Sequence, residues 1–125
     1  MVLPNSLRLR GHKCFDYLYK QGRRLYGKTM IIRVVKPQPK LLKAKNSPKN
    51  QSFIKCAVSI SNKVSKKAVE RNKIRRMLHE HLREKLKESE IESWALITLK
   101  PESANSTPQS LIKECDSLLY KAGLL

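Results

Sequence analysis

Apolar positions along this chain change their period several times, and each change marks an element. From Leu9 to Lys20, Phe15, Leu18 and Tyr19 recur at three- and four-residue spacing, which predicts a short amphipathic helix ended by Gly22. Arg23 to Lys28 then leads into Thr29-Met30-Ile31-Ile32-Arg33-Val34-Val35, a β-branched run bounded by Pro37 and Pro39 that reads as a strand partly covered on both faces. Between Lys36 and Ser52 no apolar period survives among the Lys, Pro, Asn, Gln and Ser residues, so residues 36–52 are expected to form a flexible basic loop. Phe53 to Ser61 alternates strictly. Ile54, Cys56, Val58 and Ile60 take one face and Lys55, Ala57, Ser59 and Ser61 the other, which suits a strand with one side on the core and one open to a ligand.

Helical periodicity returns from Lys66 to Lys87, with Ile74, Met77, Leu78, Leu82 and Leu86 as the buried stripe and Ser65 as candidate N-cap. Trp94 to Leu99 reads as a buried strand stopped by Lys100-Pro101, and Glu102 to Pro108 as a loop. Gln109 to Ala122 places Leu111, Ile112, Cys115, Leu118, Leu119 and Ala122 on one helix face before Gly123. The order helix-strand-strand-helix-strand-helix predicts an α+β fold, a single small domain over 1–125 with helices packed on a small sheet. A chain of this length buries roughly two thirds of its unfolded surface, enough for one core.

Charge adds what periodicity does not show. Twenty-seven Lys and Arg against ten Asp and Glu leave +17, and the excess lies in residues 1–87; residues 88–125 hold three basic and six acidic residues. A field of that strength in a small body implies a polyanionic partner. A membrane surface is the weaker match, because neither a strongly apolar helix face nor a lipidation signal accompanies the charge. No apolar run approaches the roughly 18 residues of a membrane span, and Met1 to Asn5 begin no signal peptide, so a cytoplasmic protein is expected. Cys14, Cys56 and Cys115 are odd in number and far apart, the pattern of buried reduced thiols rather than of a disulfide framework or a zinc site.

The charge is densest at the start of the second helix. Lys63, Lys66, Lys67, Arg71, Lys73, Arg75 and Arg76 fall within fourteen positions, with Glu70 as the sole acid among them. Such a face is often plain solvated surface, but here the repulsion is uncompensated, as it would be if an anion belonged beside it. At 100° per residue, Asn72, Arg76, His79 and Arg83 form one polar ridge opposite the Ile74/Leu78 stripe. His12, His79 and His81 have no acidic partner at useful sequence spacing and no His-Glu-x-x-His occurs, so no catalytic residue and no metal ligand is assigned to the chain itself.

Arg71-Asn72-Lys73-Ile74-Arg75-Arg76-Met77-Leu78-His79-Glu80 resembles the Arg-Asn-x-x-Lys-Arg-x-x-Arg-Glu signature of bacterial ribonuclease P proteins. The family's opening Arg-Leu and aromatic helix ending in Gly match Arg8-Leu9 and Phe15 to Gly22, and its Ser-rich strand matches Val58 to Lys63, so the resemblance covers roughly residues 8–122. Arg75 stands where the signature has Lys, His79 where it has Arg, and Asn62-Lys63 where it has Lys-Lys. The first exchange keeps the charge, whereas an imidazole carries less charge than a guanidinium at pH 7.

The resemblance implies a mixed sheet with a left-handed β-α-β crossover, against the general right-handed preference. It implies a protein subunit that binds a catalytic RNA and the 5′ leader of precursor tRNA, in a 1:1 complex, and helps remove that leader. Catalysis would reside in the RNA, with Mg2+ at the RNA active site and no cofactor on the protein. DNA and membranes are not expected as partners. Lys63, Lys66, Lys67, Arg71, Asn72, Lys73, Arg75, Arg76, His79 and Arg83 would then grip RNA, with Arg8, Arg10, Arg23 and Arg24 as further basic contacts. A leader cleft would be lined by Phe15, Tyr19, Lys55, Ser59 and Ser61. For Phe15 and Tyr19, core packing stands beside base stacking as an open alternative, and Tyr17, off the apolar stripe, reads as surface. A structural RNA-binding protein of ribosomal type would share the charge and the fold class without needing a cleft.

Overall fold

The three segments of strand character and one further strand form one mixed sheet. The computed structural model describes residues 12–36, 54–86 and 93–124. Its elements are α1 (His12–Gln21), β1 (Arg23–Tyr26), β2 (Met30–Val35), β3 (Ile54–Ser59), α2 (Ala68–Leu86), β4 (Ser93–Leu99), a 3-10 helix (Pro101–Asn105) and α3 (Pro108–Ala122). The sheet order is β1-β2-β4-β3. β1 with β2 and β2 with β4 are antiparallel, and β3 runs parallel to β4, the two joined across α2.

The strand that periodicity missed is β1. Arg-Arg-Leu-Tyr offers only one apolar side chain toward the core, Leu25, so the segment looked like a lead-in; pairing with β2 makes it a strand. The Glu102 to Pro108 segment also differs from expectation, since Pro101 opens a short 3-10 helix there.

Each sheet face has its own cover. On one face Met30, Ile32, Ile54, Cys56, Ala95, Ile97 and Leu99 pack against Leu78, Leu82 and Leu86 of α2 and against Leu111, Cys115, Leu118 and Leu119 of α3. Ile74 and Met77 lie at the margin of that core, partly buried. On the other face Cys14 and Leu18 of α1 bury Trp94 and Leu96. Tyr17, which reads as surface in the sequence, packs into this second cluster with its ring edge-on to Trp94, 6.2 Å between centroids.

Helix ends follow local chemistry. Thr107 caps α3 by accepting from the Ser110 N–H at 3.2 Å, Pro108 sits in the first turn, and Gly123 closes the helix at φ 82°. The Leu124 N–H donates to Leu119 O at 2.9 Å, which folds Leu124 back into the core. α2 begins later than Ser65 suggests: the Lys67 carbonyl accepts the first helical bonds, from the Glu70 and Arg71 N–H groups, so Lys67 holds the N-cap position. Ser65 instead shapes the approach, accepting from the Lys67 N–H at 3.2 Å and donating its hydroxyl to Glu70 at 2.6 Å.

Gly22 sets how α1 hands over to β1. Its N–H donates to Leu18 O at 2.9 Å, and a Cβ there would collide with that same carbonyl oxygen. Gly22→Ala is expected to cost about 1–3 kcal/mol, the usual penalty of forcing an atom into filled space. An unchanged midpoint in chemical denaturation would contradict this. Among the described residues no helix is long and apolar enough to cross a membrane.

Candidate nucleic-acid interface

α1 covers only one end of its sheet face. Cross-strand register places Val35, Trp94 and Lys55 in one row beneath the helix, followed by Arg33, Leu96 and Ala57, and then by Ile31, Thr98 and Ser59. Where cover ends, a cleft of about 290 Å³ opens at the β3 edge. α1 supplies Phe15 and Tyr19 to it, β3 supplies Val58 and Ser59, β4 supplies Leu96, and α2 supplies Arg75. Phe15 is half-buried and packs partly on the second cluster, so core and cleft share its ring. Tyr19 is 44% exposed, and the Arg33 guanidinium lies 4.5 Å from its ring centroid.

Lys55 does not face the open side as alternation suggests. It points to the expected face, but that face is covered by α1 at this row, and only 6% of the residue is exposed. Burial lowers the pKa of its ammonium, opposed in part by Cys14 beside it, whose own thiol is pushed up mainly by burial. Ser61 lies beyond the cleft lining and is exposed. Its hydroxyl accepts from the Lys63 N–H at 3.2 Å and its carbonyl from the Val64 N–H at 3.1 Å, so it shapes the turn into α2.

The cationic segment borders the cleft. Lys63, Lys66, Lys67, Lys73, Asn72 and Arg76 are exposed, and His79 and Arg83 half-exposed along the same ridge. Arg71 is tied down by donating to Ser65 O at 2.7 Å, and Arg75 donates to Asn72 Oδ1 at 3.0 Å, which holds its fork at the cleft wall. Glu70, the one acid of the segment, is engaged by the Ser65 hydroxyl. Arg23 and Arg24 are exposed on β1, with Arg23 donating to Ala122 O at 3.2 Å and Arg24 reaching the Tyr26 hydroxyl at 3.5 Å. Arg8, Arg10 and the basic loop from 37 onward lie outside the described residues.

One contact contradicts the expectation that the histidines lack acidic partners. His81 Nε2 lies 2.6 Å from Asp116 Oδ1, joining α2 to α3 across 35 residues of sequence. Two residues from His79 it sits about 200° round the helix, away from the cationic ridge, so its role is to hold the helices together. Burial pushes the Cys56 and Cys115 thiols up from 9.0 to about 12, which leaves them protonated and inert at neutral pH. Among the described residues no three His, Cys, Asp or Glu side chains are grouped to hold a metal ion.

The arrangement can therefore do one kind of chemistry well. It can hold phosphates along α2 by charge-assisted hydrogen bonds and receive unpaired bases between aromatic rings and a guanidinium. Comparison with known proteins agrees in character. A family model described as Ribonuclease P matches residues 3–123. The chain is 51% identical over 130 residues to the ribonuclease P protein component of Prochlorococcus marinus strain NATL1A, covering 99% of this chain and 98% of that one. It is 47% identical to that of Synechococcus sp. strain CC9902, with 99% and 98% covered. The fold is similar to the solved RNase P proteins of Staphylococcus aureus, at TM-score 0.76 and 18% identity over 94% of this chain and 95% of that one, and of Thermotoga maritima, at TM-score 0.71 and 16% identity over 91% and 96%.

Proposed function

This chain belongs to the ribonuclease P protein family, and on that footing we propose that it holds the catalytic RNA along α2 and the 5′ leader of precursor tRNA in the cleft between α1 and β3. Membership makes it the protein component of a ribonucleoprotein endoribonuclease of tRNA processing, with the RNA of that enzyme as its partner. The proposal assigns roles within that complex.

The observation that carries it is the meeting of two surfaces at Arg75. Its guanidinium belongs to the cationic helix and also walls the aromatic cleft, so a strand of RNA leaving a phosphate-bound duplex finds stacking partners at once. In the cleft, Phe15 and Tyr19 offer ring faces to unpaired bases, and the Ser59 hydroxyl and Arg75 fork offer hydrogen bonds to the sugar-phosphate backbone. Such contacts read unpaired geometry and charge spacing more than base identity. In this reading bond cleavage is left to the RNA and its Mg2+. A 1:1 complex in the cytoplasm completes the proposal.

Leader dependence tests it. Adding the chain to the catalytic RNA should tighten binding of leader-bearing precursor more than of mature tRNA, and equal tightening of both would contradict the cleft assignment. The helix assignment has its own readout. Arg76→Ala should lower the magnitude of the log-log salt dependence of RNA binding by about 0.7–0.9, the share of one phosphate contact. An unchanged slope would put Arg76 outside the interface.

A further inference from the structure

The sheet face that forms the cleft floor does not stop at the cleft. The row containing Ser59 runs on through Thr98 of β4 and Ile31 of β2 to Tyr26 of β1, each a register partner of the one before on the neighbouring strand. The neighbouring row runs from Leu96 through Arg33 to Arg24. Three strand spacings of roughly 4.8 Å separate Ser59 from Tyr26, so Tyr26 stands about 14 Å across the floor from Ser59. Among the described residues no helix covers this end: Ile31, Thr98 and Ser59 are partly exposed, and Tyr26 is 64% exposed. A tyrosine so open on an edge strand gains nothing from the core. It stands instead beside Arg24, whose guanidinium reaches its hydroxyl at 3.5 Å, while the next guanidinium inward, Arg33, lies over Tyr19.

We propose that this uncovered floor is a track for single-stranded RNA, leading the precursor's leader from the cleft across the sheet to a second aromatic-cationic station at Tyr26 and Arg24. The inference rests on the cleft holding the leader and adds where its more distal nucleotides go. Arg33 beside Tyr19 of α1 and Arg24 beside Tyr26 pair a guanidinium with a ring at two points along the floor, and with no acidic side chain in either row they are complementary to a flexible polyanion with stackable bases. An apolar protein partner would instead leave Arg24 and Arg33 without charge compensation.

The experiment uses the chain reconstituted with its catalytic RNA and precursor tRNAs carrying a ladder of leader lengths. In the parent complex, affinity should rise once when the leader fills the cleft and again when it reaches β1. Tyr26→Ala should remove the second rise, a loss of about tenfold for long leaders, and leave short leaders and mature tRNA unaffected. Tyr26→Phe should retain most of the gain, because stacking needs the ring rather than the hydroxyl. Arg24→Ala should lower the salt slope by about 0.7 for long leaders alone. Tyr26→Ala binding every length as the parent does, or losing affinity equally at every length, would overturn the track. Phe15→Ala separates the two readings: if it weakens leader binding while Tyr26→Ala is silent, only the track fails, and if Phe15→Ala is silent at every length, the cleft reading fails with it.

Discussion

Glu114→Ala is expected to cost the fold about 2–4 kcal/mol, because one carboxylate oxygen serves three donors. Oε2 accepts from the Thr29 N–H at 2.8 Å, the Thr29 hydroxyl at 2.9 Å and the Met30 N–H at 3.1 Å, where Thr29 and Met30 are buried. Hydrogen bonds to a charged acceptor contribute about 1.5–3 kcal/mol, and orphaned buried N–H groups add their own desolvation penalty. Gly27 is part of the same construction, since a Cβ at that position would run into the Glu114 carboxylate and Leu118. Through these contacts α3 holds the turn between β1 and β2, the hairpin that brings Arg24, Tyr26 and Arg33 to the open face. Glu114→Gln keeps an acceptor oxygen and should recover about half of the loss, as expected when a charged acceptor becomes a neutral one. Chemical denaturation measures both variants, and a loss below about 1 kcal/mol for alanine would mean that water replaces the carboxylate at little cost.

Phe15→Ala should weaken the leader-dependent part of precursor binding by roughly 1–3 kcal/mol, five- to over a hundredfold, with little effect on mature tRNA. The ring is half-buried against the Trp94 cluster, so the variant also loses some packing, and binding must be compared at a temperature where circular dichroism shows it folded. Stacking predicts that the ratio of affinities for leader-bearing and leaderless RNA falls. A ring that only packs predicts a lower melting point with that ratio unchanged.

Much of this architecture is legible in the chain itself. The α2 and α3 stripes, the alternation in β3, the β-branched run of β2 and the apolar run of β4 each announce their element, because tertiary packing and local preference agree there. β1 was not legible, since only Leu25 among its four residues turns to the core and pairing alone makes it a strand. Alternation places Lys55 on the correct face but not in its environment: period two says which way a side chain points but not that α1 lies over it. Ser65 has the right chemistry for a cap, and the helix nevertheless starts after Lys67 because the turn from Ser61 intervenes. Glu114 and the His81–Asp116 pair could not be seen, as their partners lie 85 and 35 residues away and each acid, taken alone, reads as helix surface. The cationic helix and Phe15, Tyr19 and Ser59 were visible as residue types. Their convergence on one cleft through Arg75 belongs to the fold.

The central claim is that this chain serves a catalytic RNA by holding the unpaired leader and the phosphates around it. Single-turnover cleavage of precursor tRNA by that RNA at low Mg2+, with and without the chain and with the leader present or cut back, tests it most directly. A large rate gain from the chain is expected, shrinking as the leader is shortened to nothing. A gain of the same size whatever the leader, or no gain at all, would contradict it.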